Sequence, residues 1–162
     1  MNRLFPKLPL SPDLAFEFLG TFARAEYALK AAGFARGGTK SVEADWDGFA
    51  KAIGWHFARV KDGPFQEAAT FLLTEPPRKQ VLQSGRLTWR DSPPDATQTK
   101  AHHVLMMVRR VRNNMFHGAK VWSAEYGNRV RDERLIQAAL VILNGVIPLN
   151  RDVQIAYDDS AF

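Results

Sequence analysis

The chain has 162 residues, 46% hydrophobic and 24% charged, a balance that suits one soluble domain with a buried core. It contains no cysteine, which excludes disulfides and thiolate metal sites, and its four histidines show no helical His-x-x-x-His or His-Glu-x-x-His spacing for a metal. The net charge is +5, and all of the excess falls in residues 100–134, where eight Lys or Arg accompany three Asp or Glu; the remainder holds fourteen of each sign.

No apolar run approaches the ~20 residues of a membrane-spanning helix. The N-terminal stretch, broken by Pro6 and Pro9, lacks the continuous apolar core of a signal peptide, so a cytoplasmic location is the expectation. The first strong element begins at Ser11-Pro12-Asp13: a side-chain cap, a proline suited to the first helical position, and a carboxylate at the positive helix end. Leu14, Phe18, Phe22, Ala25 and Leu29 follow at helical spacing to about Ala32, where Gly33 stops the helix. Residues 33–44 read as a glycine-containing loop. Gly37-Gly38-Thr39-Lys40 lacks the first glycine and the spacing of a phosphate-binding P-loop. Asp45 caps a second helix with Trp46, Phe49, Ile53 and Phe57 on one face; His56 beside that face reads as packed or surface. Gly63-Pro64 opens a third, shorter helix whose core residues are Phe65, Ala68, Phe71 and Leu72.

The region from Glu75 to Ala96 differs. Pro76-Pro77 opens it and Pro93-Pro94 closes it, so no helix continues through either end. Ser84-Gly85 is a turn signal between short extended pieces, giving a small β-hairpin made basic by Arg78, Lys79, Arg86 and Arg90, with Trp89 either tucked onto the bundle or available for stacking. Thr97 caps the next helix, with Val104, Met107, Val108, Val111 and Met115 as its apolar stripe and Gly118 just past its end. His102 and His103 lie turns away from His117 and read as structural or surface residues. The last helix runs from about Arg129 through Val146 and ends at Pro148, leaving a loosely held tail. The expected fold class is all-α: a four- to five-helix bundle in one domain over 1–162, with a proline-bounded insertion at about 75–96.

The most informative run is Val108-Arg109-Arg110-Val111-Arg112-Asn113-Asn114-Met115-Phe116-His117-Gly118-Ala119-Lys120. Arg112 offers a permanent planar cation for bidentate phosphate contact. His117 can take and give protons near neutrality, and Asn113 can donate and accept, so it can orient either partner. Five residues on a perfect helix separate two side chains by about 140°, so Arg112 and His117 converge only where the helix unwinds. Glu26, one position off the first helix's apolar stripe, is placed to pair with Lys30 at i, i+4.

Arg112-Asn113-Asn114-Met115-Phe116-His117-Gly118 resembles the signature of the HEPN superfamily, small helical domains whose arginine and histidine are four to six residues apart. Phe22-Ala23-Arg24-Ala25-Glu26-Tyr27-Ala28-Leu29-Lys30 is similar to the first helix of one stand-alone HEPN group, and in that likeness Glu26 points at Arg112 and sets its direction. The resemblance implies a homodimer with both motifs lining one cleft. The expected activity is metal-independent RNA cleavage through a 2′,3′-cyclic phosphate, with His117 transferring protons, Arg112 stabilising the phosphoryl charge and Asn113 positioning. Arg109, Arg110 and Lys120 would hold flanking phosphates. No cofactor is expected. A toxin or defence effector, with an antitoxin or nucleotidyltransferase partner, is one setting for such a protein; a non-cleaving module that binds RNA, a nucleotide or a protein is the alternative.

Overall fold

The computed structural model describes residues 10–93, 95, 97–116 and 128–159. Helix α1 (Pro12–Ala31) starts as its sequence dictates: Ser11 Oγ accepts from the Leu14 N–H, and Pro12 holds the first helical position. It ends in a Schellman motif, the Phe34 N–H returning to the Leu29 carbonyl and the Gly33 N–H to that of Lys30, with Gly33 at a φ of +90°.

Residues 33–44 hold more than a loop. Strands β1 (Ala35–Gly38) and β2 (Ser41–Ala44) pair antiparallel around Thr39-Lys40. Ala-Arg-Gly-Gly carries no polar–apolar alternation, which is why the strand leaves no pattern in the sequence. Gly37 is needed there, because its φ is +130° and a Cβ would overlap the Ser41 carbonyl.

Helix α2 (Trp46–Phe57) is capped by Asp45, whose Oδ1 accepts from the Gly48 N–H at 3.0 Å, and α3 (Gly63–Thr74) by Asp62, which accepts from the Phe65 N–H at 2.9 Å. Strands β3 (Lys79–Gln83) and β4 (Arg86–Arg90) form the hairpin between the two proline pairs, turning at Ser84 and Gly85, both with positive φ.

Helix α4 (Lys100–Phe116) begins later than a Thr97 cap implies. The Thr97 N–H is taken by Asp95 Oδ1 at 3.0 Å, and Thr99 Oγ1 accepts from the His102 N–H at 3.3 Å, so Thr99 is the residue that opens the helix. The contacts with Thr97, backbone first, lower the Asp95 pKa from the ordinary aspartate value. Helix α5 (Arg129–Val146) runs into a 3-10 turn over Ile147–Leu149. The segment beyond Pro148 then corrects the expectation of a loose tail. Asn150 Oδ1 accepts from the N–H groups of Asp152 and Val153 and starts α6 (Arg151–Asp159), which packs on α1 with Val153 buried.

The described residues are thus mostly helical, as expected, with six α-helices and, beside the hairpin expected between the proline pairs, a second hairpin at β1–β2 where the sequence reads as a loop. The core is continuous, with α5 against α1, α3 and α4, and α2 against α4. Of the residues expected inside, Phe18, Phe22, Phe49, Ile53, Phe57, Phe65, Leu72, Val104, Met107, Val108, Val111 and Met115 are buried, while Leu14 is only partly covered. His56 is exposed, and no described helix is long and apolar enough to cross a membrane.

Candidate functional site

Once α4 has turned its apolar stripe inward, its polar residues divide among three directions at i, i+3 and i+4 spacing. Arg112 faces α1, Arg109 and Asn113 face solvent, and Arg110 and Asn114 face the β3–β4 hairpin.

Arg112 is half-buried. Its Nη1 donates to Asn113 Oδ1 at 3.2 Å, and its guanidinium carbon lies 5.6 Å from the Phe22 ring centroid, within the outer range of a cation–π contact. Phe22 stacks on Trp46 with centroids 5.3 Å apart, and the Trp46 Nε1–H donates to Glu26 Oε1 at 3.5 Å. Glu26 and Arg112 thus border the same aromatic pair, and the hydrogen bond Glu26 accepts comes from the indole. Arg112 and Asn113 lie together in the last turns of α4, five and four residues before His117 in the sequence. His117 and Lys120 themselves fall outside the described residues.

Arg109 Nη1 lies 3.6 Å from Asp47 Oδ1, and Asp47 is also approached by Arg36 Nη1 at 3.5 Å and His102 Nδ1 at 3.7 Å. Each contact is at least partly exposed and worth little by itself. His102 is about 15 Å along the helix from Arg112 and His103 is buried, so neither joins the Arg112 end.

Arg110 has a structural task. Its Nη1 donates to the Ser92 carbonyl at 2.7 Å and the Pro77 carbonyl at 3.1 Å, while Asn114 Nδ2 donates to the Arg78 carbonyl at 2.7 Å. From α5, Arg131 Nη2 donates to the Pro76 carbonyl at 3.0 Å. Three successive carbonyls are therefore held by three side chains, which ties the base of the hairpin to the bundle. Burial lowers the Arg110 pKa from the ordinary arginine value, and the group remains a cation at neutral pH. The sequence signal for this clamp was Pro76-Pro77, two residues that bring carbonyls and no N–H.

Between α4 and the near strand β3 lies an open cleft of about 410 Å³, lined by Lys79, Gln80, Met106, Arg109, Arg110, Asn113 and Asn114. Cations and side-chain amides share its walls, an arrangement that can take an anionic group and hydrogen-bond what is attached to it. Nothing local in the sequence marks Lys79, Gln80 or Asn114 as cleft residues; only the fold brings the hairpin alongside α4. Among the described residues no group of three His, Asp or Glu could hold a metal ion. No known family model matches the chain, and no curated protein or solved structure does either.

Proposed function

We propose that the chain is a metal-independent endoribonuclease of the HEPN kind, acting as a homodimer. The observation that carries this reading is the hydrogen bond at the end of α4 from Arg112 to Asn113, a residue that also lines the cation-bearing cleft; in the sequence His117 follows five residues after Arg112. In the reaction, the 2′-oxygen of an RNA nucleotide attacks the adjacent phosphorus. A base removes the 2′-hydroxyl proton, an acid protonates the departing 5′-oxygen, and a 2′,3′-cyclic phosphate and a 5′-hydroxyl remain. The two proton transfers lie at opposite ends of an in-line displacement, so His117 from each copy supplies one. Arg112 meets the charge on the non-bridging oxygens, and Asn113 keeps the guanidinium in place.

The test is cleavage of a mixed RNA by purified protein in EDTA, with wild type beside His117→Ala and Arg112→Ala. Wild type is expected to cut, leaving cyclic phosphate ends. His117→Ala is expected to bind RNA and not cut, and Arg112→Ala to lose both affinity and cleavage. Equal cutting by wild type and His117→Ala would reject the reading. A second reading, RNA binding without cleavage, is supported by the cleft itself, whose walls carry cations and side-chain amides that can hold a phosphate without a proton-transfer group. Bound and uncut RNA with both proteins would select it.

A further inference from the structure

The β3–β4 hairpin sorts its side chains onto two faces of opposite character. Residues alternate along a strand and directly paired residues share a face. Lys79, Val81 and Gln83 therefore stand with Arg86, Thr88 and Arg90, while Gln80 and Leu82 stand with Leu87 and Trp89. The first face carries three exposed cations, Lys79, Arg86 and Arg90, and no residue from 79 to 90 is acidic. Lys79 and Arg90 are direct cross-strand partners, and like charges set opposite each other destabilise a hairpin. The carboxylate that follows, Asp91, pairs with Arg78 at 3.0 Å. Among the described residues, none of Lys79, Arg86 and Arg90 makes an ion pair or a side-chain hydrogen bond. The hairpin tolerates the repulsion because Arg110, Asn114 and Arg131 tie its base to the bundle.

Lys79 also lines the cleft, together with Arg109 and Arg110 of α4, so the cationic face of the hairpin begins where the cleft ends. We propose that this face is a second phosphate-binding subsite, over which a single nucleic-acid strand runs as it leaves the cleft. Arg90 brings its charge beside Lys79, with paired Cβ atoms about 5 Å apart, and Arg86 lies about 13 Å along β4 towards the turn. Only a ligand with phosphates on both sides of Lys79 uses the cleft and the hairpin together, which a mononucleotide cannot do. A bound backbone also offsets the repulsion between Lys79 and Arg90 that the free chain carries. The subsite rests on the reading of the cleft as an RNA site; it does not require that the RNA be cut.

The probes are 2′-O-methyl oligouridines, which keep the phosphates and lack the attacking hydroxyl, so binding is read without cleavage. A tetranucleotide has one phosphate for each of Lys79, Arg109 and Arg110; a strand of about twelve nucleotides reaches the hairpin as well. Fluorescence anisotropy across a salt series is expected to give a slope of log affinity against log salt near −2 for the short probe. The long probe is expected at about −3.5, each cation contributing about 0.7. Arg86→Ala combined with Arg90→Ala is expected to return the long probe to about −2 and to leave the short probe unchanged. The same change relieves repulsion, so the thermal midpoint is expected not to fall. A lowered midpoint would mean that the arginines serve the fold, and would overturn the subsite. Equal slopes for the two probes, or a long-probe slope indifferent to the double change, would overturn it too and leave the ribonuclease reading in place. Leu82 and Leu87, both largely exposed on the other face, make a membrane the competing occupant. Binding of phosphatidylserine vesicles that Leu82→Asp abolishes, with no difference between the probes, would overturn the subsite in favour of that surface. Unmodified RNA left uncut in EDTA rejects the ribonuclease reading alone, because neither probe can be cut.

Discussion

Asn113 and Asn114 are identical neighbours in the sequence, yet a step of about 100° around α4 gives them opposite work. Asn113 is exposed at the cleft and holds Arg112; Asn114 is buried and holds the Arg78 carbonyl. Replacing each by alanine separates the two tasks. Asn114→Ala strips a partly buried carbonyl of its donor and is expected to cost about 1–3 kcal/mol in urea unfolding. Asn113→Ala removes an exposed side-chain bond and is expected to change stability by less than about 0.5 kcal/mol. On the ribonuclease proposal the order reverses in a cleavage assay, Asn113→Ala losing up to about tenfold in rate for the single hydrogen bond that the Arg112 guanidinium donates to the Asn113 amide oxygen. Equal stability losses in the two variants would show that the Arg78 contact contributes nothing.

At the level of elements, helix ends were the most legible part of the chain because they depend on local chemistry. Ser11, Asp45 and Gly33 each cap the helix their residue types announced, and Ser84-Gly85 makes its turn. The β1–β2 hairpin was silent, since two glycines and an arginine give no alternation, and α6 was silent because only Val153 of its nine residues is buried. The site divided the same way. The Arg112–Asn113 pair is written in adjacent positions, but Lys79 and Gln80 reach the cleft only through the clamp from Arg110, Asn114 and Arg131, of which the sequence shows only the Pro76-Pro77 acceptors. Packing is equally hidden at Gly145 in α5. A Cβ there would run into the Phe65 ring, which is 1% exposed and enclosed by the core. Gly145→Ala therefore gains helix propensity of about 1 kcal/mol and is expected to lose about 1–3 kcal/mol to overpacking. A lower urea midpoint would follow; a raised one would mean that the ring moves aside freely.

For the whole molecule, the concentration of positive charge in residues 100–134 overstates the charge presented to a ligand. Arg129 pairs with Glu133 at 3.1 Å, Arg134 lies 3.6 Å from Glu75 and over the Phe71 ring, and Arg131 holds the Pro76 carbonyl. On α5 the excess is spent on the bundle. Among the described residues the cations that line the cleft are Lys79 from the hairpin with Arg109 and Arg110 from α4, so a polyanion confined there would meet about three of them. For single-stranded RNA, neutralising about three phosphates gives a slope of log affinity against log salt near −2. Replacing Lys79 and Arg109 together by alanine is expected to bring the slope to about −0.7, measured by fluorescence anisotropy across a salt series. Replacing Arg129 and Arg134 is expected to leave it unchanged, although those residues lie in the same charged stretch. A slope altered by the α5 pair and indifferent to Lys79 would place the nucleic acid on α5, away from the Arg112 end, and with it the case for RNA in this cleft would fall.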